Sequence, residues 1–292
     1  MKDFVVFILT HGRPNNVITA KTLKKSGYTG RVVIVIDNED EAADEYKKVF
    51  GNENVYIFDK KGISETFDTM DLSEDRRTIV YARNACFSIA EELGCRYFLE
   101  LDDDYTSFEF RYPDESNKKL LVKSCNNLDK AFEYMIEFLN KTNAKTIAFA
   151  QGGDFIGGIE GANYKQRVLR KTMNTFFCDT KNKFNFIGRI NEDVNTYTRL
   201  GSVGWLGMTI TDLAIVQKQT QSNKGGMSDV YIDNGTYLKS FYSVMAMPSA
   251  VKIGAMGDKH IRFHHKVNWD LCVPKILNEC YKISTNSTIK KI

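Results

Sequence analysis

Three consecutive aspartates, Asp102, Asp103 and Asp104, follow directly on the run Arg96-Tyr97-Phe98-Leu99-Glu100-Leu101. Carboxylates crowded at the end of a buried strand repel one another, so they either take up protons or bind a cation. Carboxylate oxygens with water suit Mg2+ or Mn2+, and those ions in turn bind diphosphates. In an extended segment Asp102 and Asp104 point to the same side, so both can reach one ion or the sugar and phosphate around it. The bland reading is a solvated acidic turn or a helix N-terminus stabilised by its dipole, and the triplet alone divides evenly between the two.

Two more polar clusters end apolar runs. Thr10-His11-Gly12-Arg13 follows Phe4 to Leu9, and Asp37 to Asp40 follows Val32 to Ile36. A carboxylate such as Asp37 at a strand end can meet a base or a ribose hydroxyl. Arg83 and Asn84 lie on the amphipathic stretch before the acidic strand, within reach of phosphate or ribose. Each of these alone is ordinary surface or capping chemistry; their convergence is the signal.

The elements that must position them alternate. Continuous apolar runs at 4–9, 32–36, 55–58 and 96–101 read as strands buried on both faces, and 17–25, 41–50 and 79–93 have helical spacing. Short connections between alternating strands and helices give a parallel sheet wrapped by helices, whose ligands sit beyond the carboxyl ends of the strands. After the triplet we expect a helix over 128–139, strands over 146–150, 175–178 and 184–187, one or two strands over 205–217, a helix over 237–245 and a short strand over 261–265. Residues 284–292 read as a frayed tail. The expectation is one mixed α/β domain over 1–292, with a Rossmann-like nucleotide-binding half at 1–105 and an acceptor-binding and catalytic half at 106–283.

Composition narrows the class. An ordinary apolar and charged balance argues against disorder, and no apolar run approaches the ~20 residues that span a bilayer. The N-terminal apolar run meets His11-Gly12-Arg13-Pro14 with no small-residue cleavage site, so it reads as a strand and not a signal peptide. Six cysteines without a CxxC pair or zinc spacing suggest reduced thiols and a cytoplasmic setting. The net charge of +3 does not by itself call for a polyanion. Basic residues do crowd the second half, at Lys165, Arg167, Arg170, Lys171, Lys181, Lys183 and Arg189 and again at Lys252, Lys259, Arg262 and Lys266. From composition alone a solvated surface is the better reading of such runs.

Taken in order, Leu9-Thr10-His11-Gly12-Arg13-Pro14, Asp37, Ala82-Arg83-Asn84 and Leu101-Asp102-Asp103-Asp104 resemble the GT-A glycosyltransferases, in which a nucleotide-binding half-sheet ends in an Asp-x-Asp metal motif. More narrowly, the chain is similar to the TET-associated glycosyltransferases of phages, relatives of the base J glucosyltransferase. The downstream segments that fit are Ile190-Asn191-Glu192-Asp193-Val194, Gly225-Gly226-Met227, Asp233 to Ser240, and His264-His265-Lys266-Val267-Asn268-Trp269.

The resemblance implies a GT-A fold, a parallel-dominated mixed sheet flanked by helices. It implies Mn2+ or Mg2+ and a nucleotide sugar, a UDP-sugar, as donor, with DNA carrying a hydroxymethylated pyrimidine as acceptor. It assigns Asp104 as direct metal ligand, Asp102 nearer the donor ribose or sugar, and Asp103 to the donor site with Thr10, His11, Gly12, Arg13, Asp37, Arg83 and Asn84. Asp193 would be the general base that an alcohol nucleophile needs, with Glu192 as its understudy. A C-terminal histidine would join the metal. Neighbours on a strand face opposite ways, so one of His264 and His265 reaches it, and spacing does not choose which. Gly226, Tyr237, Lys239 and Trp269 would face the acceptor, the aromatics stacking on an extruded base. The competing readings are a glycan or other non-DNA acceptor at the same donor site, and an inactive fold used for DNA binding.

Overall fold

The computed structural model describes residues 3–114, 116–217, 237–256 and 262–282. In chain order the first half contains β1 (Phe4–Leu9), α1 (Ile18–Lys25), β2 (Val32–Asp37), α2 (Ala43–Phe50), β3 (Val55–Phe58), α3 (Lys60–Ser64), α4 (Val80–Glu92) and β4 (Tyr97–Asp102). Then come β5 (Tyr105–Asp114), β6 (Lys119–Ser124), α5 (Leu128–Thr142), β7 (Thr146–Ala150), α6 (Ala162–Lys165), β8 (Val168–Leu169) and β9 (Phe176–Asp179). The described chain closes with α7 (Glu192–Ser202), β10 (Gly207–Gln217), α8 (Tyr237–Ala246), β11 (Val251–Met256), β12 (Arg262–Val267) and α9 (Trp269–Cys272).

A ten-stranded sheet runs β3-β2-β1-β4-β9-β7-β10-β5-β6, with β8 paired to β10. Strands β1 to β4 are mutually parallel. Strand β9 opposes both β4 and β7, and β10 follows β7, so β7 and β10 point the same way as β1. The sheet is therefore mostly parallel in direction, interrupted by β9, β5 and β8. This is the mixed α/β architecture expected from the alternating pattern. Strands β11 and β12 form a separate antiparallel pair.

Period-two alternation splits the core cleanly. Phe4, Val6 and Ile8 pack on one face with residues of α1 and α5, while Val5, Phe7 and Leu9 pack on the other against α4. All six residues of β1 are buried, which is why the run carries no polar alternation. The five buried cysteines and the exposed Cys280 are all free thiols. Among the described residues no helix is long and apolar enough to cross a membrane.

Two departures from the sequence pattern stand out. The hairpin β5–β6 (105–124) carries no clean apolar alternation and is absent from the expected elements. Residues 184–187 are apolar enough for a strand but form none; side chains meet their backbone, with Phe186 N–H donating to Asn84 Oδ1 at 2.9 Å and Ile187 N–H to Thr196 Oγ1 at 3.0 Å. The presumed tail falls outside the described residues.

Candidate active site

The carboxyl ends of β1, β2 and β4 meet at one edge, and the three polar clusters meet with them. Pleating places Glu100 and Asp102 on the face that α4 covers, and there lies Arg83, only 2% exposed. Its guanidinium donates to Asp102 Oδ1 at 3.0 Å, to Glu192 Oε1 at 2.9 Å and to Glu100 Oε2 at 3.4 Å. One cation thus joins the acidic triplet to the acidic pair some ninety residues later, at the start of α7. Phe176 packs 4.7 Å from the same guanidinium, completing a dry surround.

Asp103 turns the other way. Thr10 Oγ1 donates to it at 2.6 Å, and Arg13 Nε pairs with it at 3.3 Å. The triplet's backbone is gripped from α1, where Thr19 Oγ1 donates to the Asp102 carbonyl at 2.6 Å and Thr19 N–H to the Asp103 carbonyl at 3.1 Å. Tyr105 N–H donates back to Thr19 Oγ1 at 2.9 Å.

At the end of β2, Asp37 bonds His11 Nδ1 at 3.0 Å and pairs with Lys60 Nζ at 3.2 Å. Gly12 takes φ +67°, a conformation that favours glycine, and its N–H donates to Asp40 Oδ2 at 2.8 Å. Arg13 N–H donates to the Tyr46 hydroxyl at 2.8 Å. The donor-side residues Thr10 to Arg13, Asp37, Arg83, Asp102 and Asp103 are therefore brought together. Asn84 is placed differently from the donor contact expected of it: both polar atoms of its amide engage the Phe186 backbone, which clips α4 to the segment before α7.

Electrostatics mark this edge as acidic. Burial raises the Asp102 and Glu192 carboxyls despite Arg83. Burial, then Asp102 and Asp103, push Asp104 up to about 7. Glu100, fully buried, is raised by desolvation to about 8 and so carries its proton at neutral pH. That leaves two guanidiniums, Arg83 and Arg13, facing Asp102, Asp103, Asp104, Glu192 and Asp193. Such an excess of oxygen ligands fits a divalent cation, with Asp104 and the second oxygen of Asp102 as its holders. Conversely, Asp37 lies below the ordinary carboxylate range, because contacts with His11 and Lys60 more than offset its burial.

Asp193 lies half-buried in the first turn of α7, its Oδ1 accepting from Val194 N–H at 2.7 Å. Before it, Asn191 adopts φ +63° and donates its side-chain amide to Ser243 Oγ on α8. Arg189 reaches Asp71 and the Tyr242 hydroxyl, so α8 braces this acidic turn from behind.

The histidine expectation fares differently. His264 and His265 lie side by side on β12, ring centroids 4.3 Å apart. His265 is pushed down to about 4 by burial, then by His264 and Lys239, and its Nδ1 is buried without a hydrogen-bond partner. A neutral imidazole with a spare nitrogen has the chemistry of a metal ligand. Yet among the described residues no three His, Cys, Asp or Glu side chains converge as a metal site, so neither histidine is brought to the acids. Tyr237 is exposed at the start of α8, Lys239 lies near His265, and Trp269 stacks on Tyr197 with centroids 5.1 Å apart. Gly226 and His260, like most of the 225–240 motifs, fall outside the described residues. An open cavity of about 870 Å3 between Phe67, Phe184, Arg199 and Trp205 is lined by none of the site's acids.

Sequence reasoning passed over Thr19, Tyr46, Lys60 and Glu100. Only Glu100 left a signal, a lone acid inside an otherwise apolar strand.

A family model described as TET-Associated Glycosyltransferase matches residues 4–226. The chain belongs to that family. It is accordingly a glycosyltransferase, as the ordered motifs implied. No curated protein matches the sequence. Among solved structures it is similar to a mannosyltransferase from Pyrobaculum calidifontis in complex with GDP-mannose and Mn2+, at 10% identity and TM-score 0.45 over 84% of this chain and 72% of that one. It is also similar to residues 1–349 of TarS from S. aureus in complex with UDP-GlcNAc, at 13% identity and TM-score 0.43 over 83% of this chain and 66% of that one. A third is glucosyl-3-phosphoglycerate synthase from Mycobacterium tuberculosis in complex with Mg2+ and UDP, at 7% identity and TM-score 0.43 over 90% and 87%.

Proposed function

We propose that this glycosyltransferase is of the GT-A type and moves a sugar from a UDP-sugar to the hydroxyl of a 5-hydroxymethylpyrimidine in DNA, with inversion. The observation that carries the reading is Arg83, which holds Asp102 and Glu192 on one guanidinium and so joins the donor acids to the turn that bears Asp193.

In this reading His11, Asp37 and Lys60 line the base and ribose end of the donor, and Arg13 lies on the diphosphate side. Asp104 and Asp102 would hold Mn2+ or Mg2+, which when bound offsets the charge that grows on the leaving diphosphate. Asp193 takes the proton of the acceptor hydroxyl as its oxygen bonds to the anomeric carbon. The bond from that carbon to the diphosphate oxygen breaks on the opposite face, and UDP departs with the electron pair. Arg83 keeps Glu192 and Asp102 ionised and fixed while this happens.

The DNA acceptor is supported by the family resemblance and less by charge. Of the seven basic residues noted between 165 and 189, five are paired: Lys165 with Glu160, Arg167 with Asp212, Lys171 with Asp154, Lys183 with Glu91 and Arg189 with Asp71. The test is mass spectrometry of nucleosides from hydroxymethylcytosine-containing duplex DNA incubated with the protein, Mn2+ and a panel of UDP-sugars. A hexose- or pentose-sized gain on the modified nucleoside is expected. Release of UDP with no gain would sink the DNA acceptor and keep the donor site.

A further inference from the structure

Beyond Asp104 the same edge of the sheet continues with neutral chemistry. Strands β7 and β10 run with β1, so Gln151 and Gln217 stand at their carboxyl ends. Strand β9 runs against them, so the residues that lead into it, Asn174 and Thr175, meet them there. Asn174 Nδ2 donates to Gln151 Oε1 at 3.2 Å and to Gln217 Oε1 at 2.7 Å. Asn174 takes φ +61°, a left-handed conformation that asparagine tolerates at a cost, and strain of this kind gathers where a side chain must be held in place.

This carboxamide cluster abuts the acidic triplet. Tyr105, next to Asp104, donates its hydroxyl to the Asn174 carbonyl at 2.7 Å and sits in register with Gln217. On its other side the cluster leads back to the acidic turn of α7. Asp154 accepts from Gln151 N–H at 3.0 Å and pairs with Lys171, whose Nζ lies 5.9 Å from the Trp269 ring. Trp269 stacks on Tyr197, one turn along α7 from Asp193. The contacts thus lead from Asp104 to Asp193 by a second route, on the side away from the donor residues.

The donor and acceptor pattern says what the cluster would hold. Asn174 spends its amide hydrogens on the two glutamine oxygens. That leaves the glutamine NH2 groups as donors and Asn174 Oδ1 as an acceptor. A phosphate would call for cations, whereas neutral carboxamides match the edge of a nucleobase. Cytosine offers an amino donor beside two acceptors, N3 and O2, the complement of one acceptor and two donors. Uracil presents a carbonyl where cytosine has its amino group and sets it against Asn174 Oδ1.

We infer that Gln151, Asn174 and Gln217 form a subsite that reads the Watson–Crick edge of the acceptor base, flipped out of the duplex, and selects 5-hydroxymethylcytosine over 5-hydroxymethyluracil. The inference rests on the acceptor assigned in the preceding section.

The experiment is steady-state kinetics on two duplexes that differ only in carrying 5-hydroxymethylcytosine or 5-hydroxymethyluracil. Wild type is compared with Asn174→Gly, which keeps the left-handed backbone accessible and removes the amide, and with Gln151→Leu, which leaves the Asn174 backbone alone. A thermal shift with UDP and Mn2+ shows that each variant is folded. Wild type should prefer the cytosine duplex at least tenfold in kcat/KM. Both variants should raise the acceptor KM about tenfold, lose the preference and keep the donor KM within twofold. Equal use of the two duplexes by wild type, or a preference that survives both substitutions, overturns the subsite and leaves the DNA acceptor standing. UDP release with neither duplex modified overturns the acceptor, and the subsite falls with it.

Discussion

Replacing Arg83 by leucine is the sharpest test of how this site is built. The side chain is 2% exposed, so solvent does not screen its contacts with Asp102, Glu192 and Glu100 at 3.0, 2.9 and 3.4 Å. Leucine occupies much of the apolar volume beside Phe176 and Phe186, so the cost is one of charge more than of packing. Removing one partner of a buried pair leaves an uncompensated charge and costs about 3–5 kcal/mol. In a chain of this length that lowers Tm by on the order of 10 °C. The pH dependence carries a sign. Arg83 holds the Asp102 and Glu192 carboxyls down against burial, so in the leucine variant both rise further. A carboxyl raised in the fold stabilises below its unfolded pKa and loses that contribution as pH climbs towards the folded one. The deficit of Arg83→Leu should therefore be small near pH 4 and grow towards pH 7. Urea unfolding from pH 4 to 8 reads it. Arg83→Leu combined with Glu192→Gln should recover part of the loss, because one orphaned charge is gone. A deficit under about 1 kcal/mol, or one that does not move with pH, would show that Arg83 is not the cation on which the two acidic motifs depend.

Four further outcomes follow from the same geometry. Asp104→Asn should abolish transfer together with the Mn2+ dependence of the UDP thermal shift, whereas Asp193→Asn should abolish transfer and keep that shift; calorimetric titration with UDP and Mn2+ separates them. Glu100 rests near 8 against an ordinary 4.5, so its share of stability is fully present below about pH 4.5 and lost towards pH 8. Glu100→Gln should flatten that slope in urea melts, and an unchanged slope would mean Glu100 is ionised in the fold. His11 is raised above 6.5 chiefly by its hydrogen bond to Asp37, so its NMR titration midpoint should drop on Asp37→Asn. Finally, Ser243→Ala removes the partner of the strained Asn191, so kcat should fall several-fold with donor KM little changed. A fall in donor affinity instead would place α8 on the donor side.

The donor half was legible because each of its strands is buried on both faces. Phe4 to Leu9 and Val32 to Ile36 admit no polar residue, so the first one beyond them had to lie at the sheet edge. Three strand ends gave three clusters, and the structure brings the three together. Asn84 misled because an amide beside an arginine looks like a ligand contact when only the chain is seen; its partner, the Phe186 backbone, lies 102 residues away. The hairpin β5–β6 and the carboxamide cluster were hidden for a related reason. Gln151, Asn174 and Gln217 are ordinary polar residues, and only the order β9-β7-β10 brings them together. Lys60 and Thr19 likewise acquire their roles from contacts that no local pattern encodes.

The charge balance ties these readings to one another. A strand end with one acid can be neutralised by one arginine, and Arg13 does this for Asp103. Arg83 meets three acids, and its single charge can satisfy them only because Glu100 keeps a proton. What remains is Asp102 and Glu192 sharing one cation, beside Asp104, whose raised affinity for a proton is the same property that favours a divalent ion in the proton's place. A site designed for stability would replace such acids with apolar residues, since buried ionic clusters seldom outdo them. Their retention makes sense if the excess charge is neutralised in use, by an ion and by a proton taken from an alcohol. On that argument the apo protein should gain stability from Mn2+ even without nucleotide, and Asp104→Asn should remove the gain. A protein equally stable with and without Mn2+ would break the link between its charge balance and its chemistry.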